Sequence, residues 1–383
     1  MSLRVLSIST LFPSPVRPGF GRFVARQFDA LAERGDVELT VISPIAKPLR
    51  GGKPTTDQSR RYPVHYLPFG TIPLIGAGFN PALIRDTALP LVRSLHETAP
   101  FDLVDAQFFF PDGPAAGLIA GELGLPLSIK ARGSDINYWG FRNGPALQML
   151  AAAKHAKALL AVSTALKTEM SRQGLELGKT SVHYTGLDHG LFRPRPRIEA
   201  RRELNELVRF DDAPLLVSVG NLIPLKRHSL TIEALALLPD ARLVIVGIGP
   251  EDARLRKLAA KLGVSDRVVM AGSLPPNTIA TLLSAANVLV HTSKSEGLAN
   301  VWLEALACGT PIVATDVGGA QEVVSTDTAG RLVEPLPDAV AEGIRELLLH
   351  PLLQSEVAAN AQKFSWEANA AELSAHYHRI AGR

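Results

Sequence analysis

Three side chains able to hold a charged substrate stand in one half of the sequence. They are Glu296 and Glu304 in "SEGLANVWLEALACGTP" (295–311), and Lys226 in "VGNLIPLKRH" (219–228). Eight helical residues advance about 12 Å and turn the side chain by roughly 80°, so a single helix does not offer the two carboxylates as an acid–base pair. A clamp on two parts of an elongated ligand and ordinary surface charge both remain open. Ser293 and Ser295 are placed to cap a helix, Glu296 and Gly297 to sit at its loop junction, and Gly309-Thr310-Pro311 to stop it. Glu296 then stands at the helix entrance, with Glu304 two turns inside. The backbone N–H groups of Gly297, Leu298, Ala299 and Asn300 become donors at the positive end of the helix dipole, which suits sugar hydroxyls or phosphate oxygens. Lys226 is a mobile point charge able to pair with phosphate, and Gly220 ahead of it lets the backbone turn close to a ligand.

Other loops carry weaker signals. "LVIVGIGPED" resembles a dinucleotide fingerprint but fails it: after Gly247, Ile248 and Gly249 the third glycine position holds Asp252. A tight turn near a ligand remains. "SPVRPGFGRF" puts Gly19 and Gly21 at the start of a helix, where amides can meet an anion or an acceptor. "KARGSDINYW" offers Arg132 and Asp135 after a strand, Asp135 reading as an N-cap or as a catalyst. The aromatic cluster "FFFPDGP" (108–114) suits core packing or a sugar or lipid site. His376 and His378 point apart on a helix, and no metal-ligand spacing stands out, so no metal is expected.

Two rounds of short β-branched runs, each alternating with helix-like stretches, must position these loops. "LRVLSIS", "VELTVIS", "FDLVDAQ", "LPLSIKA" and "KALLAVS" form the first; "APLLVSVG", "ARLVIVG", "RVVMAG", "NVLVHTS" and "TPIVATD" form the second. This is the pattern of an α/β chain with parallel sheets and crossover helices, whose ligands bind beyond the carboxyl ends of strands. Pro194 and Pro196, within the stretch 185–207, mark a linker near residue 190. At 383 residues and 46% apolar content the chain can build two full cores. Cys308 is the only cysteine, which fits a reducing compartment and excludes a disulfide framework. Charge interrupts every long apolar stretch and no secretion signal is evident, so a cytoplasmic protein is expected. A net charge of +3 does not argue for nucleic acid, but residues 1–61 hold ten Lys/Arg against five Asp/Glu. Much of that excess lies in "KPLRGGKPTTDQSRRYP" (47–63), a solvated loop or a peripheral contact with an anionic membrane.

On these motifs the chain resembles the family-four retaining glycosyltransferases, of GT-B architecture with two Rossmann-like domains facing across a cleft. "SEGLANVWLEALACGTPIVATDVGGAQEVV" is similar to the family's E-x7-E signature and the turn after it. "VGNLIPLKRH" resembles its phosphate loop, "GIGPE" its glycine turn, and "TGLDHGLFRP" its linker entry. The resemblance implies an acceptor-binding domain over 1–188, completed by a helix over 366–383, and a nucleotide-sugar-binding domain over 189–365. It implies Glu296 at the donor sugar hydroxyls, Glu304 at the ribose, and the Gly297, Leu298, Ala299 and Asn300 backbone against sugar and phosphate. Lys226 would neutralise the departing diphosphate, with Gly247, Ile248, Gly249, Ser273 and Leu274 around the nucleotide and Gly19 and Gly21 near the phosphates and acceptor.

Two departures stand out. Asn221 occupies the place of the family's phosphate-binding arginine, leaving Lys226 more of the neutralisation, with Arg227 or His228 as partial substitutes. Arg132 stands where many relatives have histidine; its proton is held too tightly for a general base at neutral pH, so an anionic acceptor or Asp135 is its expected partner. The resemblance implies retaining transfer of a sugar from a nucleoside diphosphate sugar to a hydroxyl acceptor, a lipid-linked saccharide in surface polysaccharide or glycolipid assembly, without metal or cofactor. A nucleotide-sugar 2-epimerase, a non-catalytic nucleotide-sugar-binding protein and a dehydrogenase are the competing classes.

Overall fold

The computed structural model describes residues 2–48, 51–71, 76–204 and 213–383; positions 49 and 50 of the basic stretch and 205–207 of the linker region lie outside the described residues. The chain divides into two compact units, 1–186 with 366–383, and 187–365.

In the first unit the described residues form an eight-stranded sheet. Its strands are β1 (Leu3–Ile8), β2 (Val37–Pro48), β3 (Thr55–Asp57), β4 (Val64–Thr71), β5 (Leu103–Ala106), β6 (Leu127–Ala131), β7 (Ala158–Ala161) and β8 (Thr180–Val182). They lie in the order β3-β4-β2-β1-β5-β6-β7-β8, and all pairs are parallel except β3 with β4. The chain winds outward in both directions from β1 and β5, so the loops after these two strands flank a topological switch point. Val24, Phe28 and Leu31 on one face of the helix Arg22–Glu33 pack on Leu3, Val5 and Val41 of the sheet. The terminal helix Trp366–Ala381 joins the same core through Ala370, Leu373 and Tyr377. Where the chain leaves and re-enters this unit, Gly186 lies flat on Trp366; a Cβ there would sit 2.3 Å from the indole.

In the second unit the described residues form a parallel six-stranded sheet of β9 (Leu215–Val219), β10 (Arg242–Val246), β11 (Val268–Gly272), β12 (Val288–His291), β13 (Ile312–Thr315) and β14 (Gly330–Val333). Its order is β11-β10-β9-β12-β13-β14, a doubly wound sheet whose switch point lies between β9 and β12. These two strands pair at Leu216↔Val288 and Val217↔Leu289. The pairing stops two residues short of both carboxyl ends, which opens a crevice at that edge. Near-continuous apolar strands such as "LVIV" are what a sheet covered by helices on both faces requires.

All ten stretches read as strands from the sequence form strands. The four that were missed have local reasons: β3 and β8 are three residues long, β4 contains Pro68, and β14 opens on Gly330.

Candidate functional site

The switch point of the second unit brings Lys226 and Glu296 together. Lys226 ends a short turn after β9, Glu296 lies in the loop after β12, and Nζ stands 2.5 Å from Oε1. Their side chains are 19% and 12% exposed, so the pair is mostly out of water. The loops are tied to each other by backbone and hydroxyl bonds: Lys294 N–H donates to Leu225 C=O (2.8 Å) and Thr292 Oγ1 to Arg227 C=O (2.8 Å). Arg227 holds a left-handed conformation at φ 47°, an uncommon one for a side chain of this kind, at the entrance to the helix His228–Ala236. From β13, Thr315 Oγ1 donates to Ser293 C=O (2.6 Å), and Gly319 N–H donates to Gly297 C=O (2.9 Å). Gly318, at φ 54°, fits because it lacks a Cβ, which would lie 2.2 Å from the Glu296 carbonyl oxygen. The Gly-Gly turn after β13 is thus a backbone seat for Glu296.

The glycine turn after β10 packs on the same loop. A Cβ on Gly247 would meet the Gly220 carbonyl oxygen at 1.9 Å, and one on Gly249 would meet that of Leu222 at 2.4 Å. Leu222 N–H donates to Ile248 C=O (3.0 Å), and Gly247 N–H to Gly272 C=O (2.8 Å). The backbone of the loops after β9, β10 and β11 is thereby gathered at one sheet end. Asn221, Ile248 and Ser273 are exposed and Leu274 is half-buried there.

The helix Asn300–Ala307 starts later than its sequence suggests. Its N-cap is Ala299, which supplies no side-chain cap, so Ser293 and Ser295 do not cap it. They lie in the preceding loop because the Glu296 and Gly297 backbone is held by the Gly-Gly turn rather than by helical bonds. Gly297, Leu298 and Ala299, all buried, precede the helix and Asn300 opens it, which puts Glu304 one turn inside rather than two. The stop at Gly309 is as read: at φ 80° it completes a Schellman motif, with Gly309 N–H bonded to Leu306 C=O and Thr310 N–H to Ala305 C=O. Burial pushes the carboxyl of Glu304 up to about 7.

Burial also pushes Glu296 upward, but His291, the Lys226 ammonium and hydrogen bonds from Lys226 and Ser293 outweigh it. They hold its carboxyl below the ordinary 4.5. His291 closes β12 with its Nε2 3.6 Å from Glu296 Oε1. Its Nδ1 accepts the indole N–H of the fully buried Trp302 at 3.0 Å. Neither residue is marked by a sequence motif: His291 reads as the end of a buried strand and Trp302 as helix core. The only available signal is that His291 precedes Glu296 by five residues, at the strand end from which the loop leaves.

In the first unit, the elements flanking β1, β5 and β6 gather a buried polar network. Arg132, after β6, donates from Nε to the Gln107 backbone C=O (2.7 Å) and from Nη2 to Gln107 Oε1 (2.5 Å). Its guanidinium also lies 4.9 Å from the ring centre of Phe23. Gln107 in turn donates to Asp105 (2.7 Å), and the fully buried Lys130 donates to Gln27 (3.0 Å) and His183 (2.8 Å). Burial drives Lys130 well below the usual lysine range, with Arg132 adding to it. Asp135, also fully buried, accepts backbone N–H groups of Phe109, Arg132, Gly133 and Ile136 at 2.7–3.1 Å. These bonds hold the 132–136 turn. Gly21, at φ 68°, fits against the Leu11 backbone where a Cβ would lie 2.4 Å away, whereas Gly19 borders open space. In the aromatic stretch, Phe109 and Phe110 are core, Phe110 packing on Trp139 at 5.0 Å.

Among the described residues no group of three or more His, Cys, Asp or Glu side chains is placed to hold a metal ion, and no helix is long and apolar enough to cross a membrane.

Comparison with known proteins matches both halves. The family described as "Glycosyl transferase 4-like domain" matches residues 19–186, and "Glycosyl transferases group 1" matches 200–364. A D-inositol 3-phosphate glycosyltransferase of Acidothermus cellulolyticus is 30% identical over 335 residues, spanning 80% of this chain and 72% of the relative. Sucrose-phosphate synthase from Thermosynechococcus elongatus has a similar structure, with a TM-score of 0.82 at 21% identity over 99% of each chain. HepE of Anabaena, solved with UDP and glucose, gives 0.76 at 22% identity over 98% of this chain and all of that one. With the two doubly wound sheets, these matches establish that the chain belongs to the family-four glycosyltransferases and has the GT-B fold.

Proposed function

We propose that this glycosyltransferase moves a sugar from a nucleoside diphosphate sugar to a hydroxyl of a lipid-linked saccharide, with retention at the anomeric carbon and without a metal or cofactor. The observation that carries the donor half is the Lys226–Glu296 pair at the switch point of the second unit, one cation and one anion on loops held by backbone. A departing diphosphate needs charge neutralisation, which Lys226 supplies, and preorganised backbone amides around residues 297–300 add to it without reorganising. Glu296 accepts hydrogen bonds from donor sugar hydroxyls, and Glu304 binds the ribose. The acceptor attacks from the leaving-group face and a phosphate oxygen takes its proton, so no covalent enzyme intermediate is formed. The HepE structure with UDP and glucose supports a nucleotide-sugar donor.

The first unit binds the acceptor in this reading, Arg132 and Asp135 shaping its site. Peripheral contact with an anionic membrane is supported by two features. Residues 136–168 carry Arg142, Lys154, Lys157 and Lys167 and not one Asp or Glu. The same unit exposes Phe79, Tyr138, Phe141 and Leu147, by 52–69%.

Purified protein incubated with UDP-, GDP- and ADP-sugars, in the presence and absence of a membrane lipid extract, tests the proposal. Diphosphate release that requires the extract, survives EDTA and gives an α-linked product from an α-linked donor is the expected result. Conversion of the donor without the extract points to an epimerase, and binding without turnover to a non-catalytic protein.

A further inference from the structure

Glu296 has partners of two kinds. Lys226 reaches it on a flexible four-carbon stem, and that stem lies along Gly220, where a Cβ would have its methylenes at 3.5–3.6 Å. His291 and Ser293 are fixed: they are 2% and 0% exposed and flank the carboxyl end of β12. The imidazole is fixed further from behind. An indole N–H only donates, so the 3.0 Å contact from Trp302 Nε1 makes His291 Nδ1 an acceptor. A neutral imidazole then carries its hydrogen on Nε2, the nitrogen that faces Glu296 Oε1 at 3.6 Å and Ser293 Oγ at 3.5 Å. The rings of His291 and Trp302 meet edge to face at 88°, which sets the orientation of the imidazole as well as its tautomer. At 3.6 Å the His291 contact is too long for a hydrogen bond, and the Oε1 atom it faces is the one already taken by Lys226 at 2.5 Å.

This arrangement matters once a donor diphosphate competes for Lys226, an inference that rests on the donor reading above. Drawing the ammonium toward phosphate strips Glu296 of its cation at the moment it must hold sugar hydroxyls. We propose that His291, locked in its Nε2–H tautomer by Trp302, is the positioning residue that takes over the Glu296 carboxylate from Lys226 when the diphosphate binds, with the Ser293 hydroxyl as the second donor. The hand-over needs a shift of roughly half an ångström to reach ordinary hydrogen-bond length. It leaves the carboxylate aimed at the sugar while the lysine serves the phosphate. His291 suits the task because it is a neutral donor: burial pushes its pKa down to about 4, with Lys226 and His228 adding and Glu296 opposing. It therefore adds no cation to compete with Lys226 for the diphosphate.

With the diphosphate alone the sugar position is open and water can solvate the carboxylate that Lys226 leaves, so His291 is needed only when a sugar fills that position, which separates the hand-over from a general packing role. Calorimetric titration of wild type with UDP and UDP-glucose, GDP and GDP-mannose, and ADP and ADP-glucose first selects the pair that binds. The same pair is then measured on His291→Leu, His291→Gln and Trp302→Phe, each checked for folding by thermal melting. In His291→Leu the nucleotide sugar is expected to weaken by about tenfold or more, the scale of one hydrogen bond to a charged group, while the diphosphate alone changes less than about twofold. Gln, which can place an amide N–H near the Nε2 position, should restore most of the sugar affinity. Trp302→Phe, which keeps an aromatic side chain but removes the N–H, should lose part of it. Unchanged sugar affinity in His291→Leu overturns the proposal, as do equal losses for sugar and diphosphate, or a Gln variant as impaired as Leu. Should His291→Leu fail to fold, Trp302→Phe carries the test, and sugar affinity equal to wild type in that variant overturns it. Wild type that binds none of the six compounds refutes the donor reading and the hand-over with it; wild type that binds, with variants that do not discriminate, refutes the hand-over alone.

Discussion

Replacing Lys226 by methionine keeps the stem beside Gly220 and deletes only the ammonium. At an Nζ to Oε1 separation of 2.5 Å, two unit charges attract by about 7 kcal/mol at an effective dielectric of ~20. With exposed fractions of 19% and 12%, most of that attraction offsets the desolvation of the two ions. Removing one partner from such a pair leaves the other uncompensated, at a cost of about 3 kcal/mol, or about 6–12 °C in melting temperature for a domain of this size. Glu296 has a depressed pKa in the folded protein, so its contribution to stability is full above the unfolded carboxylate value and is lost as pH falls through the folded one. The deficit of Lys226→Met is therefore expected to be largest at neutral pH and to shrink as pH falls below the ordinary 4.5 and through the lower folded value of Glu296. In catalysis, loss of the charge that meets the departing diphosphate is expected to lower kcat by about 10²–10³-fold. Thermal unfolding followed by circular dichroism at pH 7 and pH 4, with diphosphate release at saturating donor, measures both effects. A variant that keeps more than a tenth of wild-type kcat, or that melts with the same deficit at both pH values, refutes this reasoning.

Three further outcomes follow from the same geometry. Gly318→Ala puts a Cβ 2.2 Å from the Glu296 carbonyl oxygen at φ 54°; a loss of about 2–4 kcal/mol in denaturant unfolding is expected, together with weaker nucleotide-sugar binding, and normal binding would show that the Gly-Gly turn does not seat Glu296. Glu304 keeps its proton in the folded state up to about pH 7, so wild-type stability should fall as pH rises from the ordinary 4.5 toward 7. Glu304→Gln should remove that slope and melt higher than wild type at pH 8; parallel melting curves across pH 5–8 would contradict it. Asp135→Asn turns amide hydrogens toward the backbone N–H groups that the carboxylate now accepts, and should cost about 2–4 kcal/mol in unfolding measurements. Unchanged stability with lost turnover would instead return Asp135 to catalysis.

How far the sequence reaches depends on what each residue's chemistry leaves visible. Buried parallel strands are legible because both of their faces must be apolar, as in "LVIV" and "VLVH", and the stop at Gly309 is legible because few residues other than glycine tolerate its φ. Strand-end loops with Lys226 and Glu296 are legible through their glycines and charge. The start of the helix Asn300–Ala307 is not: Ser293 and Ser295 have capping chemistry, but the tertiary contact of Gly318 with the Glu296 backbone overrides local preference. The His291–Trp302 contact also lies beyond sequence reading, since an indole bonded to an imidazole inside a domain looks, in one dimension, like two core residues eleven positions apart. Asp135 reads equally as cap or catalyst, and the one backbone donor that ties it to a distant segment, Phe109, leaves no trace in one dimension.

The role of the Lys226–Glu296 pair is tested by the affinity of the wild-type protein, Lys226→Met and Glu296→Gln for a nucleotide sugar and for its nucleoside diphosphate, measured by calorimetry. Lys226→Met is expected to weaken both ligands by about tenfold or more, and Glu296→Gln to weaken the nucleotide sugar selectively. Nucleotide-sugar binding that survives both substitutions unchanged would contradict the assignment of this pair to the donor.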